Sequence, residues 1–302
     1  MEMTKNRKIS LEEYLKTRQA VIDRALDGYL PAKGGPSAEI REAMRYTLFA
    51  GGKRLRPVLC MASAEAVGGS AETVLPVACA IEMIHTYSLI HDDLPAMDND
   101  DYRRGKPSSH RIFGEGVAIL AGDALLTEAF CLLSEKNPGV SPETGLSIIH
   151  EIATAAGFQG MVGGQVADLR AEGAEVEMEQ VQYIHTHKTQ ALITVSIRAG
   201  ALISGVGEDD LNSLSKYGQK MGLAFQIADD ILDIESCREV LGKDTGSDEG
   251  RSKATYPALI GIEESREETR RLVESALSEI RRFGERADPL RMIARFIAER
   301  KL

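Results

Sequence analysis

Apolar residues recur at spacings of three and four along most of the chain, which is the period of an amphipathic α-helix. The run at 10–30 is a clear case, because Ser10 offers an N-cap and Glu12 and Glu13 follow in the first turn. Stretches rich in glycine and proline separate such runs at 31–37, 68–70, 137–139, 205–207 and 284–289. Alternation with a period of two, which is typical of strands, is nearly absent. The pattern therefore predicts a single all-α domain over residues 1–302, with roughly ten or more helices and no sheet.

Two of the predicted helices, at 74–90 and 217–234, are apolar on nearly every side, so we expect them inside the bundle. Each nevertheless carries aspartates: DDLPAMDNDD begins at Asp92 and DDILD begins at Asp229. Asp229 and Asp233 stand four residues apart and share one helix face. Burying unpaired carboxylates is costly, so we expect a compensating cation, and oxygen ligands favour Mg²⁺. A solvated acidic loop is the alternative, but two clusters beside strongly apolar helices disfavour it.

The composition excludes several classes of function. The chain has 302 residues and a net charge of −10, so a general electrostatic grip on nucleic acid or an anionic membrane is not expected. Aromatic residues make up 5% and tryptophan is absent, which argues against a base-stacking platform. The 4 cysteines have no metal-binding spacing, the first residues lack a secretory signal, and no apolar stretch approaches the ~20 residues that span a bilayer. We expect a cytoplasmic protein with no integral membrane segment.

Basic residues near the acidic clusters indicate a phosphate-bearing ligand, because Mg²⁺ and a few local cations can hold a polyanion on an acidic protein. The segment GGKRLR, at 51–56, sets three cations behind a glycine pair, and RRGK, at 103–106, follows the first acidic cluster directly. A glycine-bearing segment around Lys243 and Lys253 has the composition of a mobile lid.

Three blocks of sequence, HTYSLIHDDLPAMDNDDYRRGKPSSH, FQIADDILD and GKDTGSD…KATYP, stand in this order between about Tyr46 and Leu259. Together they closely resemble the short-chain trans-isoprenyl diphosphate synthases, such as farnesyl and geranylgeranyl diphosphate synthases. The resemblance implies an isoprenoid-synthase-type helical bundle around a deep central cavity, usually as a homodimer. It also implies Mg²⁺-dependent head-to-tail condensation of isopentenyl diphosphate with an allylic diphosphate, dimethylallyl or geranyl. The buried cavity would keep the allylic carbocation from water.

Carried over by position, the resemblance also implies roles for individual residues. Three Mg²⁺ ions would be held by Asp92, Asp98, Asp229 and Asp233, with Asp93 in support. The allylic diphosphate would be bound by Arg103, Lys188, Lys243 and Lys253. Isopentenyl diphosphate would be bound by Gly52, Lys53, Arg56, His85 and Arg104. The catalytic set would be Lys188, Thr189, Gln226 and Asp93, with Thr189 and Gln226 beside the reacting allylic carbon. Two positions depart from the family pattern: Gln190 stands where glycine is frequent and Tyr102 where leucine is frequent.

Product length should depend on what blocks the cavity below the first aspartate motif. Tyr87 and Ser88 precede Asp92 by about one helical turn, ~6–7.5 Å. Pro95 and Ala96 are inserted in that motif, which resembles the bacterial farnesyl type. Together with Tyr87 and Ser88, this insertion favours (2E,6E)-farnesyl diphosphate as the product, and geranylgeranyl diphosphate is the alternative. Tyr87 could equally be an ordinary core aromatic residue. More distant alternatives are an HD-type metal phosphohydrolase built on His91 and Asp92, a terpene cyclase, and a non-catalytic prenyl synthase subunit.

Overall fold

A computed structural model describes residues 9–32, 37–241 and 255–299, and these are almost entirely helical. The α-helices are α1 Leu11–Tyr29, α2 Ala38–Leu48, α3 Leu55–Ala66, α4 Ala71–Asp92, α5 Ser109–Phe113, α6 Glu115–Ser134, α7 Pro142–Ala156, α8 Met161–Ala171, α9 Met178–Ile184, α10 Ala191–Ile203, α11 Glu208–Leu241, α12 Tyr256–Ile260, α13 Ile262–Glu279 and α14 Asp288–Glu299. A π-helical segment, His185–Gln190, joins α9 to α10, and a 3₁₀ segment, Arg281–Ala287, precedes α14. The all-α prediction is confirmed, and Ser10 caps α1 by accepting a hydrogen bond from the Glu13 amide at 3.2 Å.

The expectation of no sheet is wrong in one place. The strands β1 Tyr102–Arg103 and β2 Lys106–Pro107 pair antiparallel just after the first aspartate cluster. The two residues between the paired ends, Arg104 and Gly105, have φ of 53° and 75°, as a tight hairpin turn requires. Strands of two residues are too short to show a period of two, so the pattern could not reveal them.

The two apolar helices lie inside the bundle, as predicted. Helix α4 packs against α3, α6 and α10, and α11 packs against α10 and α13. Ile81 and Ile84 of α4 and Tyr217 and Ile227 of α11 are fully buried. The Tyr217 hydroxyl donates a hydrogen bond of 2.8 Å to the Leu290 carbonyl and so ties α11 to α14. The first aspartate motif therefore begins at the end of one interior helix, and the second lies on another.

Two helices, α4 and α6, are long and apolar enough to cross a bilayer, contrary to the expectation that no apolar stretch reaches that length. The apolar window of α4 is 67% buried inside the bundle, as expected of a core helix. The window of α6 is only 39% buried, and Ile119 and Leu120 are exposed. Core helices of soluble proteins pass the same length and hydropathy test, so this is weak evidence for a membrane segment.

Candidate active site

The first aspartate motif gathers at the C-terminal end of α4. Asp92 is the last residue of the helix, and the chain then folds back so that the Asp98 amide donates to the Asp92 carbonyl at 2.8 Å. The Asp100 amide donates to the Asp93 carbonyl at 3.2 Å. Asp93 is 1% exposed and accepts a hydrogen bond of 2.6 Å from Arg103 Nε on β1. Asp93 thus supports the motif through Arg103, and both belong to the predicted set.

The electrostatics of this motif favour a bound cation. The pKa of Asp92 is raised to about 6, chiefly by burial, while Lys188 opposes the shift and the Asp98 carboxylate adds to it. Burial also raises the pKa of Asp93, although Arg103 works against it. A carboxylate whose charged form is disfavoured by burial and by a like charge is stabilised by a metal ion placed beside it.

Lys188 lies in the π-helical segment His185–Gln190 and points toward the first motif. Its Nζ donates a hydrogen bond of 2.5 Å to Asp168 Oδ2 on α8. Burial alone would lower the pKa of Lys188, but the carboxylates of Asp168 and Asp92 outweigh it and raise that pKa. Helix α8 approaches closely at Gly164, where a Cβ atom would lie 2.2 Å from the Lys188 backbone nitrogen. Short π-segments are frequent at functional sites.

A partly buried chain of hydrogen bonds connects the next residue, Thr189, to the second aspartate motif. Thr189 Oγ1 donates to Gln226 Oε1 at 2.6 Å, and Gln226 Nε2 donates to Asp230 Oδ1 at 2.9 Å. The other oxygen of Asp230 lies 3.2 Å from His185 Nε2 and accepts from the Tyr256 amide at 3.4 Å. The structure therefore brings Thr189 and Gln226 together, as the resemblance implies, and it holds them through Asp230.

The other two aspartates of this motif differ in exposure. Asp229 is half-buried, and its charge acts on Arg56 across the site. Asp233, four residues on, is exposed to solvent. The second motif therefore faces the cationic loop with one carboxylate, while Asp230 is turned into the bundle.

The loop that enters α3 carries the predicted isopentenyl diphosphate ligands. Gly51 and Gly52 have φ of 104° and 122°, which only glycine adopts readily. A Cβ atom on Gly52 would lie 2.5 Å from the Arg104 guanidinium carbon, and Arg104 donates to the Gly51 carbonyl. Lys53 is exposed, with its ammonium 5.7 Å from the centre of the Phe296 ring on α14. The two basic segments, 51–56 and 103–106, therefore meet in space.

Arg54 is turned away from this surface, unlike its neighbours. It is 3% exposed and donates to Glu82 Oε1 on α4 and Asp23 Oδ1 on α1, both at 2.8 Å. Of the three cations that the sequence places behind the glycine pair, this one is a structural anchor. The sequence alone does not distinguish it from Arg56.

Arg56 and His85 lie together with Arg104. Burial lowers the pKa of His85 well below its ordinary value, and the charges of Arg56 and Arg104 lower it further. Burial also lowers the pKa of Arg56, and its buried Nε has no hydrogen-bond partner among the described residues. A neutral histidine beside a guanidinium group with an unused donor is suited to an anion.

Tyr87 and Ser88, the predicted chain-length residues, differ in their contacts. Tyr87 is 7% exposed, its pKa is raised to about 12 mainly by burial, and its ring meets His91 edge-on with centroids 5.7 Å apart. The ring of His91 lies 3.0 Å from a carbonyl of α6, which holds it in place. The Ser88 hydroxyl instead donates to the His85 carbonyl of its own helix at 2.9 Å. Tyr87 is therefore the bulkier and better-fixed candidate.

The donor set fits Mg²⁺ shared with a diphosphate. Within the described part of the chain, no group of three metal-ligating side chains could hold an ion by itself. Mg²⁺ keeps several waters and binds through one or two carboxylates plus substrate phosphates, so such a group is not required. Two further predicted ligands, Lys243 and Lys253, lie outside the described residues.

Sequence reasoning missed three polar residues, Gln165, Asp168 and Glu82, and assigned no separate role to Asp230 of the second aspartate motif. Gln165 is 8% exposed, and neither its amide nitrogen nor its oxygen has a hydrogen-bond partner in the part of the chain that the structure describes. It shares a helix face with Asp168, three residues on, in the segment GGQVADL. An acid and an amide three apart on an apolar helix were a usable signal.

Comparison with known proteins assigns the chain and its fold to one family. The family model described as polyprenyl synthetase matches residues 37–291. The chain therefore belongs to the polyprenyl synthetase family and is a prenyltransferase of isoprenoid biosynthesis, with the isoprenoid-synthase fold. This assignment displaces the HD-type phosphohydrolase alternative.

Relatives cover nearly the whole chain. A geranylgeranyl diphosphate synthase of Cyanophora paradoxa is 49% identical over 96% of this chain and 97% of its own length. A farnesyl diphosphate synthase of Geobacillus stearothermophilus is 46% identical over 97% of this chain and 98% of its own length. The crystal structure of an FPP/GFPP synthase from Zymomonas mobilis, without ligand, superposes with a TM-score of 0.86 at 40% identity, covering 95% of this chain and 98% of that one.

Proposed function

We propose that this prenyltransferase condenses isopentenyl diphosphate with dimethylallyl and then geranyl diphosphate to give (2E,6E)-farnesyl diphosphate and pyrophosphate. The observation that carries the proposal is the convergence of two acidic motifs and two basic segments on one site. Arg103 donates a hydrogen bond to Asp93 there, and Asp229 interacts with Arg56. An acidic protein gains a local diphosphate site in this way.

The proposed roles follow from these contacts. Asp92 and Asp98 would hold Mg²⁺ on one side of the site, and Asp229 with Asp233 would hold it on the other. Bound Mg²⁺ would stabilise charge on the departing diphosphate. The number of ions, three by resemblance, is part of the proposal.

Lys188 and Arg103 would bind the allylic diphosphate while its C–O bond breaks. Each is already fixed by a carboxylate, Asp168 for Lys188 and Asp93 for Arg103, so little reorganisation is needed. Thr189 and Gln226 present oxygen atoms that would stabilise positive charge on the allylic carbon. The isopentenyl double bond then attacks that carbon, and a proton leaves to the released pyrophosphate.

Arg56 and Arg104 would bind isopentenyl diphosphate, with Gly52 allowing close approach of the backbone. His85 is neutral by burial and can donate or accept a hydrogen bond there. Lys53 would reach the same diphosphate from the exposed side. Lys243 and Lys253 would bind the allylic diphosphate instead.

The farnesyl product is proposed because the buried Tyr87 ring stands below Asp92, and geranylgeranyl diphosphate is the alternative. Relatives of similar identity are named for both products, 49% for a geranylgeranyl and 46% for a farnesyl diphosphate synthase. Their names therefore do not choose between the two chain lengths.

A homodimer is also part of the proposal. Helix α6 exposes Leu120 at 59% and Ile119 at 42%, and α7 exposes Leu146 at 68%. Exposed apolar side chains that are neighbours on one helix, such as Ile119 and Leu120, are typical of interaction surfaces. The single catalytic domain, the cytoplasmic location and the central cavity remain predictions.

A product assay tests the proposal. The chain is incubated with isopentenyl diphosphate, dimethylallyl diphosphate and Mg²⁺, and the dephosphorylated alcohols are separated by length. We expect farnesol, and none when Mg²⁺ is chelated. Geranylgeraniol would replace the farnesyl proposal with its alternative, and the absence of any Mg²⁺-dependent product would favour a non-catalytic subunit.

A further inference from the structure

Glu82 is a buried carboxylate to which no role has yet been assigned. It lies on α4, three residues before His85, and is 1% exposed. Its Oε1 accepts a hydrogen bond of 2.8 Å from Arg54 Nη1, while the buried Oε2 has no hydrogen-bond partner among the described residues. A half-paired carboxylate in a protein interior is costly, so its retention calls for a compensating function.

The surroundings of Glu82 explain why a carboxylate is useful at this position. Three guanidinium groups, those of Arg54, Arg56 and Arg104, lie near it, and its charge is the largest favourable one acting on each. Without a bound diphosphate, these cations would repel one another in a partly desolvated site. The carboxylate of Glu82 offsets this repulsion, because it is a fixed negative charge among the three guanidinium groups.

Arg54 transmits the effect of Glu82 to the loop. This residue adopts a left-handed conformation, φ 49° and ψ 37°, directly before the first turn of α3. Its side chain also donates to the Leu48 carbonyl at 2.6 Å and to Asp23. Three fixed hydrogen bonds hold a backbone conformation that costs a non-glycine residue energy. The same conformation places Gly51 and Gly52 against Arg104.

We propose that Glu82 is the positioning residue of the isopentenyl diphosphate site, holding Arg54 so that the 51–56 loop presents Arg56 beside Arg104. The inference rests on the proposed function for the identity of the diphosphate. Glu82 does not touch the substrate, and its effect is confined to one of the two diphosphate sites. If Glu82 served stability alone, its replacement would affect the kinetic constants for both substrates to a similar extent.

Steady-state kinetics of Glu82→Gln separate these roles. We expect KM for isopentenyl diphosphate to rise at least tenfold, with kcat and KM for geranyl diphosphate changed less than threefold. Glu82→Asp, which keeps the charge, should recover part of the loss. If Glu82→Gln does not fold, Arg54→Lys, which removes the planar fork, should show the same selective rise.

Glu151→Gln is the matched control. Glu151 accepts two hydrogen bonds, of 2.6 and 2.7 Å, from Arg198 between α7 and α10, and neither residue belongs to the proposed site. The substitution Glu151→Gln should lower the melting temperature without changing KM for isopentenyl diphosphate or for geranyl diphosphate. An unchanged KM for isopentenyl diphosphate in Glu82→Gln, or an equal rise for both substrates, would overturn the inference.

Binding of inorganic pyrophosphate to the metal-free protein, measured by calorimetry, keeps the inference separate from the proposed function. If the wild-type chain forms no prenyl product, the proposed function fails. A tenfold weaker affinity in Glu82→Gln than in wild type would still support the positioning role, and equal affinities would refute it.

Discussion

Individual charged side chains in this site are held before any substrate arrives. Arg103 is fixed by Asp93, Lys188 by Asp168, and Arg54 by a buried glutamate. Each pair offsets the cost of desolvating its members and fixes one rotamer of a long side chain. Residues so restrained lose little entropy when a diphosphate binds, which is the physical basis of preorganisation.

Tyr87→Ala tests the chain-length role of one side chain. Removing the ring opens the space below Asp92, so the product should lengthen from farnesyl to geranylgeranyl or beyond, measured by separating the dephosphorylated alcohols. Thr86→Ala is the control, because the Thr86 hydroxyl bonds back to the carbonyl of residue 82 on its own helix at 2.8 Å. An unaltered product from Tyr87→Ala would make Tyr87 an ordinary core residue.

The raised pKa of Asp92 predicts a pH dependence of stability in the metal-free protein. Its folded pKa of about 6 exceeds the ordinary 3.8, so the native state binds the proton more tightly than the unfolded state. Unfolding free energy should therefore fall as pH rises from about 4 to 7, by about 1–3 kcal/mol.

Thermal melts in EDTA at pH 5 and 7.5 measure this fall. Asp92→Asn should reduce the difference between the two melting temperatures, and Mg²⁺ with pyrophosphate should reduce it in the wild type. Asp101→Asn, at an exposed carboxylate of the same cluster, is the control and should leave the difference intact. A wild-type protein equally stable at both pH values would contradict the assignment.

Among the secondary-structure elements, the contact of α8 with the π-helical segment decides where Lys188 lies. The π-helical geometry adds a residue to one turn, so Lys188 and Thr189 can serve two different contacts, one to Asp168 and one to Gln226. The close approach depends on Gly164 having no side chain. An element pair of this kind couples backbone packing to the position of the ammonium group that is proposed to bind the allylic diphosphate.

Gly164→Ala should displace that segment. The added Cβ would meet backbone atoms of Lys188 at 2.2 Å, so we expect a loss of about 1–3 kcal/mol in stability and at least a tenfold fall in kcat. Gly145→Ala, inside α7 with nothing within 4 Å of its Cβ, is the control and should gain about 0.5–1 kcal/mol. Urea denaturation and initial rates give both quantities, and a fully active Gly164→Ala would refute the coupling.

On the scale of the whole molecule, the exposed side of α6 stands apart from the rest of the surface. This helix is among the most apolar in the chain, yet its apolar window is only 39% buried. A second copy covering this side would remove Leu120 and its neighbours from water, with a gain proportional to the apolar area buried.

Leu120→Glu should therefore weaken the proposed homodimer. A charge introduced into an apolar contact is desolvated without a partner, so light scattering or sedimentation should show the mass of one chain where the wild type shows two. Ile9→Glu, at a residue 54% exposed outside α6 and α7, is the control. A wild-type chain that is monomeric at micromolar concentration would refute the dimer itself.

The sequence by itself determined the helical class and the interior position of the two helices beside the aspartate motifs, and it predicted the chemistry of the ligand. Helical period is set by residues three and four apart, so it is legible without tertiary structure. Clusters of acids beside strongly apolar helices such as 74–90 disfavour a solvated loop, so a cation and a diphosphate were predicted from composition and order. Family resemblance added the individual roles.

Only the tertiary structure decided which member of each charged cluster turns inward. Arg54 and Arg56 stand two residues apart, yet one meets Glu82 and the other faces the site. Asp230 bonds into the bundle while Asp229 acts on Arg56. The direction of a long or acidic side chain depends on partners dozens of residues away in the sequence. The local spacing of residues does not indicate which partners these are.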